Sequence, residues 1–375
     1  MRKIKVMNMI WSMGDGGAQQ VVLNYLRDFQ NDPDIDFWLY VYTSPTNSKY
    51  DCEILKEKYN VVYLNNPKTK IQIPYIKRYF QTPISQKSWE NAIHDFNPDI
   101  VHVHISGLLA NTMPGILKEN VPIRFDTLHS NPYRYKGKLK KTIVKAFLDY
   151  NVIPICLTEE QVSQAKDWYG ITQYEVLHNG VDIENIKRNI VSKNVARKKF
   201  EIDENAYVIA GVGRLNPIKR FDWLISIFKK VKVKIPNAKL VIAGDGPERK
   251  KLLQIAQNLN LNQDVQFLGN IDNIIDLYCA ADVLAITSYT EASPLVAIEA
   301  QTCGLRCVIS EGVPSESIIT PNTQKLWADA TEDDWCEALL NKKYFGKPMA
   351  QKEDYEVHNM SRKLKQIYLK YYARG

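Results

Sequence analysis

The sequence predicts an α/β protein made of two doubly wound parallel sheets, one in each half of the chain. Short apolar runs rich in β-branched and aromatic residues alternate with longer stretches of helical periodicity, and this alternation restarts near Tyr207. The chain has 375 residues, which is more than one domain of ordinary size contains. Hydrophobic residues make up 45% and charged residues 24%, so the composition excludes a disordered or collagenous chain.

The first lobe begins with a strand at residues 4–10, and a helix at residues 18–29 follows it. Further apolar runs of strand length predict strands at residues 37–42, 100–105, 123–128 and 152–157. Because parallel strands need long crossover connections, strands that alternate with helices in this way predict a parallel sheet.

The second lobe repeats the alternation. Its predicted strands are residues 208–212, 240–243, 265–268, 283–286 and 307–310, with helices at 221–233, 248–259, 274–281 and 294–303. The break between the lobes is expected between residues 178 and 199, where Asn179 and Gly180 precede a polar, charged segment. The predicted domains are residues 1–180 and 181–345. Residues 346–375 end in a helical stretch at 357–372, which we expect to pack across to the first lobe.

Charge and targeting signals limit the classes of function. The net charge of +7 favours an anionic partner but does not distinguish nucleic acid, a phosphorylated metabolite and a lipid headgroup. The longest apolar stretches, such as residues 37–42, are far shorter than the roughly 18 residues that would cross a bilayer. Arg2, Lys3 and Lys5 imitate the start of a signal peptide, but Asn8 interrupts the apolar run. The sequence therefore predicts a cytoplasmic protein.

Cysteine and histidine spacing does not predict a metal site. Six cysteines are too few for a disulfide framework, and Cys303 with Cys307 lacks the second pair of a zinc site. His102 and His104 alternate on one predicted strand, but no third ligand is spaced to join them. We expect His102 to pack in the core, whereas His104 could reach the ligand-binding cleft. His129 directly follows the next strand, where a hydrogen-bonded loop histidine is the alternative to a functional one.

Ligands of open α/β sheets bind beyond the carboxyl ends of the strands, so the residues that follow each strand are the candidates. After the first strand, Gly14, Gly16 and Gly17 would let a ligand approach the backbone at the start of a helix. This spacing is neither a dinucleotide-binding nor a P-loop motif, and a tight turn is the alternative.

In the second lobe the first strand runs into Gly213 and Arg214, and Lys219 follows just before a helix. Two cations and free backbone amides at this place can bind a diphosphate, although a solvated pair of charges is the alternative. A dinucleotide-binding motif is excluded because Asn216 stands where its third glycine would be. The next strand runs into a glycine turn that begins at Gly244.

The strongest signal follows the strand at residues 283–286. Ser293 is the expected N-cap and Pro294 the first residue of a helix, so the amides of Leu295 and Val296 would point towards an anion or towards sugar oxygens. Glu291 lies before this helix and Glu299 lies in its second turn. Both carboxylates could contact different hydroxyl pairs of one ligand, or they could serve only as favourable charges near a helix start.

Two basic, aromatic stretches of the first lobe could bind an acceptor or an anionic membrane surface. The first contains Tyr133, Arg134, Lys136, Lys138, Lys140, Lys141 and Lys145. The second contains Lys68, Lys70, Tyr75, Lys77, Arg78, Tyr79 and Phe80. A solvated helix face is the alternative. Nucleic-acid binding is disfavoured because no recognition module accompanies the charge.

Taken together, six segments resemble the retaining glycosyltransferases of family 4, which have the GT-B fold of two facing Rossmann-like lobes with a cleft between them. The segments are GDGGAQ from Gly14, TLH from Thr127, HNGVD from His178, GVGRLNPIK from Gly211, AGDGP from Ala243 and the Glu-x7-Glu segment from Glu291. The likeness extends over nearly the whole chain. Six segments in one order are far more specific than any single glycine turn.

The resemblance implies a nucleotide-sugar donor, most commonly a UDP-sugar, that is bound mainly by the second lobe. Arg214 and Lys219 match positions that neutralise the donor diphosphate. Glu291 matches the position that holds sugar hydroxyls, and Glu299 matches the one that holds the ribose. The residues expected to bind the donor are Gly16, Gly17, Gly213, Arg214, Lys219, Gly244, Ser293, Pro294, Leu295, Val296 and Glu299.

For catalysis the resemblance implies His129, which matches the histidine beside the sugar at the reaction centre, together with Arg214, Lys219 and Glu291. No metal is implied. The acceptor, recognised by the first lobe, would be a saccharide or a lipid-linked saccharide of the kind used by the family's capsule and exopolysaccharide members. The basic residues expected to bind acceptor or membrane are Arg134, Lys136, Lys138, Lys140 and Lys141, which would place the enzyme at the inner face of the plasma membrane.

The chain also departs from the family pattern. Arg220 stands where glycine is frequent, Ser130 where aspartate is common and Arg306 where proline is frequent. Arg220 and Arg306 would add positive charge near the diphosphate, unless they lie on the surface. A nucleotide-sugar epimerase of related architecture and a non-catalytic sugar-nucleotide sensor are the alternative functions. Glycoside hydrolysis is disfavoured because no separate general acid is marked opposite Glu291.

Overall fold

The computed structural model describes residues 2–14, 16–46, 48–65, 83–344 and 346–374. The chain divides into two compact units. The first unit comprises Met1–Asn179 and Val357–Gly375, and the second comprises Gly180–Glu356. Each unit is built on one parallel sheet, as the sequence predicts.

The first unit contains a seven-stranded sheet in its described part, in the order β3-β2-β1-β4-β5-β6-β7. The strands are β1 (Ile4–Ile10), β2 (Ile35–Val41), β3 (Val61–Tyr63), β4 (Ile100–His104), β5 (Ile123–Thr127), β6 (Ile153–Cys156) and β7 (Glu175–Val176). The helices are α1 (Gly17–Phe29), α2 (Lys49–Glu57), α3 (Pro83–Phe96), α4 (Leu109–Lys118), α5 (Gly137–Leu148) and α6 (Glu159–Tyr169).

Strand β1 lies in the middle of this sheet and is almost fully buried. It pairs in parallel with β2 on one side and with β4 on the other. Parallel strands are covered on both faces, which is why β1 consists of nearly continuous apolar residues. The one polar residue in its centre is Asn8, and the register places it beside His102 of β4. This level of the sheet is important for the site described below.

The second unit contains a six-stranded sheet among its described residues, in the order β10-β9-β8-β11-β12-β13. The strands are β8 (Tyr207–Val212), β9 (Ala238–Ala243), β10 (Val265–Gly269), β11 (Val283–Ile286), β12 (Arg306–Ser310) and β13 (Thr323–Leu326). The helices are α7 (Ile183–Asn189), α8 (Lys193–Lys199), α9 (Phe221–Lys234), α10 (Arg249–Asn258), α11 (Ile274–Ala280), α12 (Leu295–Thr302) and α13 (Glu332–Leu340).

Two apolar clusters cover the two faces of the second sheet. Ile209 of β8 packs into the cluster that contains Phe228 and Trp335, whereas the next residue, Ala210, packs into the cluster that contains Tyr278. This alternation follows from the period of two along a strand. Helices therefore lie on both faces and leave the carboxyl ends of the strands to loops, where ligands of such sheets bind.

The last helix, α14 (Val357–Tyr372), belongs to the first unit. Nζ of Lys365 lies 2.8 Å from Asp32 and 2.7 Å from Asp34, on the loop before β2. Tyr368 is completely buried against the sheet. The C-terminal helix is therefore held by both charge and apolar packing. No helix in the part of the chain that the structure describes is long and apolar enough to cross a membrane.

The sequence does not predict three short strands at the margins of the sheets, namely Val61–Tyr63, Glu175–Val176 and Thr323–Leu326. They have two to four residues and are largely half-buried. Runs this short carry little apolar periodicity, and they form because an existing strand edge offers unpaired backbone groups.

Candidate active site

The loops after β8, β11 and β12 meet at the carboxyl edge of the second sheet, where these strands are neighbours. Nζ of Lys219, in the first loop, lies 2.6 Å from Oε1 of Glu291, in the second. The backbone N–H of Glu291 donates to the carbonyl oxygen of Gly312, in the third loop, at 2.8 Å. The Lys219 and Glu291 side chains are only 20% and 13% exposed. The structure thus brings together two residues that the sequence assigned to the donor.

Short-range hydrogen bonds hold both members of this pair. Oδ1 of Asn216 accepts from the N–H groups of Ile218 and Lys219, which caps the 3-10 turn Pro217–Lys219. The hydroxyl of Ser288 donates to the same Oε1 of Glu291 at 2.5 Å. The sequence analysis did not single out Ser288. The only signal for it is its position two residues after a strand end.

Two arginines, Arg214 and Arg220, lie in the segment between β8 and α9. Arg214 follows β8 by two residues, and its side chain is exposed at the carboxyl edge. Arg220 has a left-handed backbone with φ of 54°, which explains why glycine is favoured at this place. Its guanidinium carbon lies 3.9 Å from the centre of the Trp223 ring and 4.5 Å from that of Tyr289. Stacking on both rings fixes the Arg220 guanidinium group.

The expectation that Arg306 adds charge near the diphosphate is wrong. Arg306 is the first residue of β12, and it therefore lies at the amino edge of the sheet. Its guanidinium group is buried and donates to the carbonyl oxygens of Ala338, at 2.9 Å, and of Leu339. These carbonyls end α13, so Arg306 neutralises the negative end of a helix. Sequence spacing identified the position of Arg306 along the chain but not the direction of its side chain.

The glycine turns after β8 and β9 pack directly against each other. Gly213 has a φ of 146° and Gly244 a φ of 125°, which residues with a side chain rarely adopt. A Cβ atom on Gly244 would overlap the carbonyl group of Gly213. These two predicted donor-binding residues therefore allow a close backbone approach between neighbouring loops.

The start of α12 differs by one residue from the prediction. The helix begins at Leu295, and Pro294 is its N-cap with ψ of 104°, so Ser293 lies outside the cap position. The extended ψ of Pro294 keeps that residue out of the helix. Leu295 and Val296 are the first two helical residues, whose N–H groups have no acceptor within a helix. This agrees with the expected position of their amides.

Glu299 lies in the second turn of α12, and its side chain is hydrogen-bonded to Tyr278. Its Oε2 accepts from the hydroxyl of Tyr278 on α11 at 2.9 Å. Tyr278 is nearly fully buried, so this bond fixes the direction of the Glu299 carboxylate. The sequence gave no local signal for Tyr278, which stands 21 residues before its partner.

In the first unit, the predicted glycine loop leads into α1. Gly16 is the N-cap and Gly17 the first residue of the helix. The side-chain amide of Gln19 donates to the carbonyl oxygen of Ser12 at 3.1 Å and so closes the loop. A Cβ atom on Gly16 would overlap the Gln19 side chain. Asp15, between the glycines, lies outside the described residues.

Three histidines form a group on the first sheet, and two of them, His102 and His104, are completely buried. His102 contacts the hydroxyls of Tyr368, at 2.6 Å from Nδ1, and of Thr127, at 2.7 Å from Nε2. The packing role expected for His102 agrees with these bonds. Nδ1 of His104 lies 3.0 Å from Nε2 of His129. Burial lowers the pKa of His102 to about 3 and the pKa of His104 well below its ordinary value, so both rings are neutral at pH 7.

His129 follows β5 and retains some exposed surface. Desolvation also lowers its pKa, so this ring is neutral at pH 7 as well. Among the described residues, no group of three or more His, Cys, Asp or Glu side chains is arranged to hold a metal ion.

The first basic stretch forms the turn before α5 and the exposed face of that helix. Lys140 lies over the Trp168 ring at 3.5 Å from its centre. The other predicted acceptor or membrane residues are exposed, namely Arg134, Lys136, Lys138 and Lys141. The second basic stretch, residues 68–80, lies outside the described residues.

A cavity of about 500 Å³ lies at the amino edge of the second sheet. Tyr207, Asp282 and Arg306 are among the residues that line it, and none of the predicted site residues is. The predicted donor residues of the second unit lie instead in the loops that follow the strands and in α12.

Two family models match the chain, one in each half. A family model described as "Glycosyltransferase Family 4" matches residues 15–185, and one described as "Glycosyl transferases group 1" matches residues 192–350. The chain belongs to the family 4 glycosyltransferases and has the GT-B fold. It is therefore a glycosyltransferase.

Individual relatives are distant. The chain is 24% identical over 317 residues to a Bacillus subtilis protein named as a glycosyltransferase, EpsF, and the match covers 82% of this chain and 79% of that protein. It is 25% identical to the N-acetyl-alpha-D-glucosaminyl L-malate synthase of Bacillus anthracis, over 56% of each chain. A solved structure of Anabaena HepE with UDP-glucose covers 98% of this chain and all of its own, with a TM-score of 0.80 at 16% identity. That likeness shows the fold alone.

Proposed function

We propose that the protein is a retaining, metal-independent glycosyltransferase that moves a hexosyl group from a UDP-sugar to a saccharide or lipid-linked saccharide acceptor of surface polysaccharide synthesis. The second unit binds the donor, and the first unit recognises the acceptor. HepE, whose solved structure contains UDP-glucose, supports the choice of donor. The exposed basic residues around α5 support an anionic acceptor or membrane partner.

The observation that carries the proposal is the Lys219–Glu291 pair at the carboxyl edge of the second sheet. Lys219 and Arg214 neutralise the diphosphate as the bond to the sugar breaks. Glu291 binds sugar hydroxyls, and Glu299 binds the ribose. These cations neutralise the diphosphate, as a divalent ion does in other transferases, so the proposed reaction requires no metal.

A panel of UDP-, GDP- and ADP-sugars tests the donor. A bound donor raises the unfolding temperature by mass action, and transfer releases the nucleoside diphosphate. We expect a UDP-sugar to give the largest shift and EDTA to leave the rate unchanged. If EDTA abolishes the rate, the metal-independent mechanism is wrong, and if no UDP-sugar binds, the donor proposal is wrong.

Product analysis tests the reaction class and the stereochemistry. A transferase forms a new glycosidic bond, and NMR of the product shows whether the anomeric configuration of the donor is retained. An isomerised nucleotide sugar without a new bond would identify an epimerase instead. Binding without turnover against a panel of lipid-linked and free saccharides would identify a sensor.

Sedimentation with vesicles tests the membrane partner. Each exposed lysine near an anionic surface contributes about 1 kcal/mol, so we expect binding to vesicles with anionic lipid that weakens with salt. A variant with Lys138 and Lys141 changed to glutamine should bind more weakly than a control variant with Lys229 and Lys250 changed to glutamine. The two control lysines are exposed but lie in the second unit. Equal binding of both variants would refute a role for α5.

A further inference from the structure

The nitrogen atoms of His104 and His129 form a hydrogen-bonded chain with Asn8 whose direction can be assigned. Nε2 of His104 lies 3.1 Å from Oδ1 of Asn8, and Nδ1 of His104 lies 3.0 Å from Nε2 of His129. Asn8 and His104 are completely buried, so water does not compete for these bonds.

The chemistry of each atom fixes where the protons are. With Oδ1 of Asn8 facing the ring, Nε2 of His104 carries the proton that is donated to Asn8, because a carbonyl oxygen can only accept. A neutral imidazole has one protonated nitrogen, which leaves Nδ1 of His104 as an acceptor. The proton between the two rings must therefore belong to Nε2 of His129. The lowered pKa values of both rings agree with the neutral forms that this argument needs.

We propose that Asn8 and His104 are positioning residues that hold His129 as the Nε2–H tautomer and so leave its Nδ1 as a fixed hydrogen-bond acceptor. Nδ1 of His129 has no hydrogen-bond partner among the described residues, and the residue is partly exposed. The ligand that fits an unprotonated nitrogen is a hydroxyl donor, and a saccharide presents several. The assignment of a saccharide rests on the proposed function, whereas the assignment of the tautomer does not.

His102 provides a matched control in the same group of rings. Its ring centre lies 4.2 Å from that of His104, but its two nitrogens contact Tyr368 and Thr127 and not His129. A substitution at His102 disturbs the packing of the group without breaking the chain from Asn8 to His129. It therefore separates loss of packing from loss of the directed hydrogen bonds.

Long-range proton–nitrogen NMR of the protein labelled with ¹⁵N-histidine reads the tautomer directly, without any substrate. We expect His129 of the wild-type protein to be protonated at Nε2 at pH 7.5. In Asn8→Leu the direction of the chain is no longer fixed, so a second population of His129 protonated at Nδ1 should appear. His102→Gln should keep the wild-type tautomer. So should His104→Gln, because a glutamine amide can accept from His129 and donate to Asn8.

Protonation of wild-type His129 at Nδ1 would overturn the proposal, because Asn8 would then present its amide nitrogen to His104. An unchanged tautomer in Asn8→Leu would overturn it as well. The wild-type spectrum decides even if that variant does not fold. In a transfer assay we expect kcat of Asn8→Leu to fall by about twofold if half of the molecules hold the wrong tautomer, and by about tenfold if nine in ten do. Absence of any transfer by the wild-type protein would refute the proposed function but leave the tautomer result standing.

Discussion

Lys219→Met removes the ammonium group that lies 2.6 Å from Glu291 and keeps a side chain of similar length. In the proposed reaction, negative charge grows on the departing diphosphate, so a cation fixed beside it stabilises the transition state more than the bound donor. Loss of one such preorganised group costs about 2.7 to 4 kcal/mol, which corresponds to a fall in kcat of about 10² to 10³. We expect the donor KM to change by less than about tenfold.

The same substitution breaks an ion pair, and the exposure of the pair sets the cost in stability. With 20% and 13% of their side chains exposed, the partners lie between two limits. A surface pair contributes up to about 1 kcal/mol, and breaking a fully buried pair costs about 3 to 5 kcal/mol. We therefore expect the free energy of unfolding of the second unit to fall by about 2 kcal/mol.

Steady-state kinetics and urea unfolding of purified variants separate the two effects. The double variant Lys219→Met with Glu291→Gln removes the uncompensated carboxylate and keeps an acceptor oxygen for Ser288, so it should recover most of the stability. It should recover none of the turnover. Lys219→Arg is the matched control, because it retains the charge and should lose less activity. Turnover of Lys219→Met at the wild-type rate, or activity that returns with stability, would refute the reasoning.

Three further predictions concern single residues. Arg214→Ala should lower kcat by about 10² to 10³ and raise the donor KM less, which steady-state kinetics will show; a change in KM alone would contradict a transition-state role. Tyr278→Phe removes the hydroxyl that donates to Glu299 at 2.9 Å. Loss of this hydrogen bond, worth about 1 kcal/mol, should weaken UDP binding roughly fivefold, as measured by calorimetry. Equal affinity would contradict the orienting role of Tyr278. Burial lowers the pKa of His102 to about 3 from 6.5, so the unfolded chain binds a proton that the folded chain does not. The stability contributed by neutral His102 is present above pH 6.5 and is lost as the pH falls towards 3, by about 1.4 kcal/mol between pH 7.5 and 5.5. His102→Gln should remove this part of the pH dependence in urea unfolding, and identical pH profiles would contradict it.

The sequence predicts the central strands because burial on both faces leaves a visible pattern. Five of the seven residues 4–10 are apolar, and the structure has a strand with the same limits, Ile4–Ile10. Val61–Tyr63 is also apolar, but an edge strand of three residues is too short to show that pattern. The position of such a strand depends on which neighbouring edge is available, and this information is not local to the segment.

The sequence predicts where the candidate residues lie along the chain better than it predicts which side chains they contact. Lys219 and Glu291 each follow a strand, and the rule for open sheets places both at the carboxyl edge, although 72 positions separate them. Nothing in the sequence distinguishes Lys219 from Arg214 as the partner of Glu291. Arg306 shows the same limit, because its side chain turns to the end of α13. Partners of this kind depend on tertiary packing.

The ion pair of Lys219 and Glu291 leaves both groups able to bind the donor that we propose. Lys219 and Ser288 both contact Oε1 of Glu291, and Oε2 makes no hydrogen bond among the described residues. An ionised carboxylate with one oxygen fixed and the other open is suited to accept from a sugar hydroxyl. An ammonium group has three donors, so Lys219 can contact Glu291 and still donate to a phosphate oxygen. The pair is therefore suited to the donor that we propose, which carries both hydroxyls and a diphosphate.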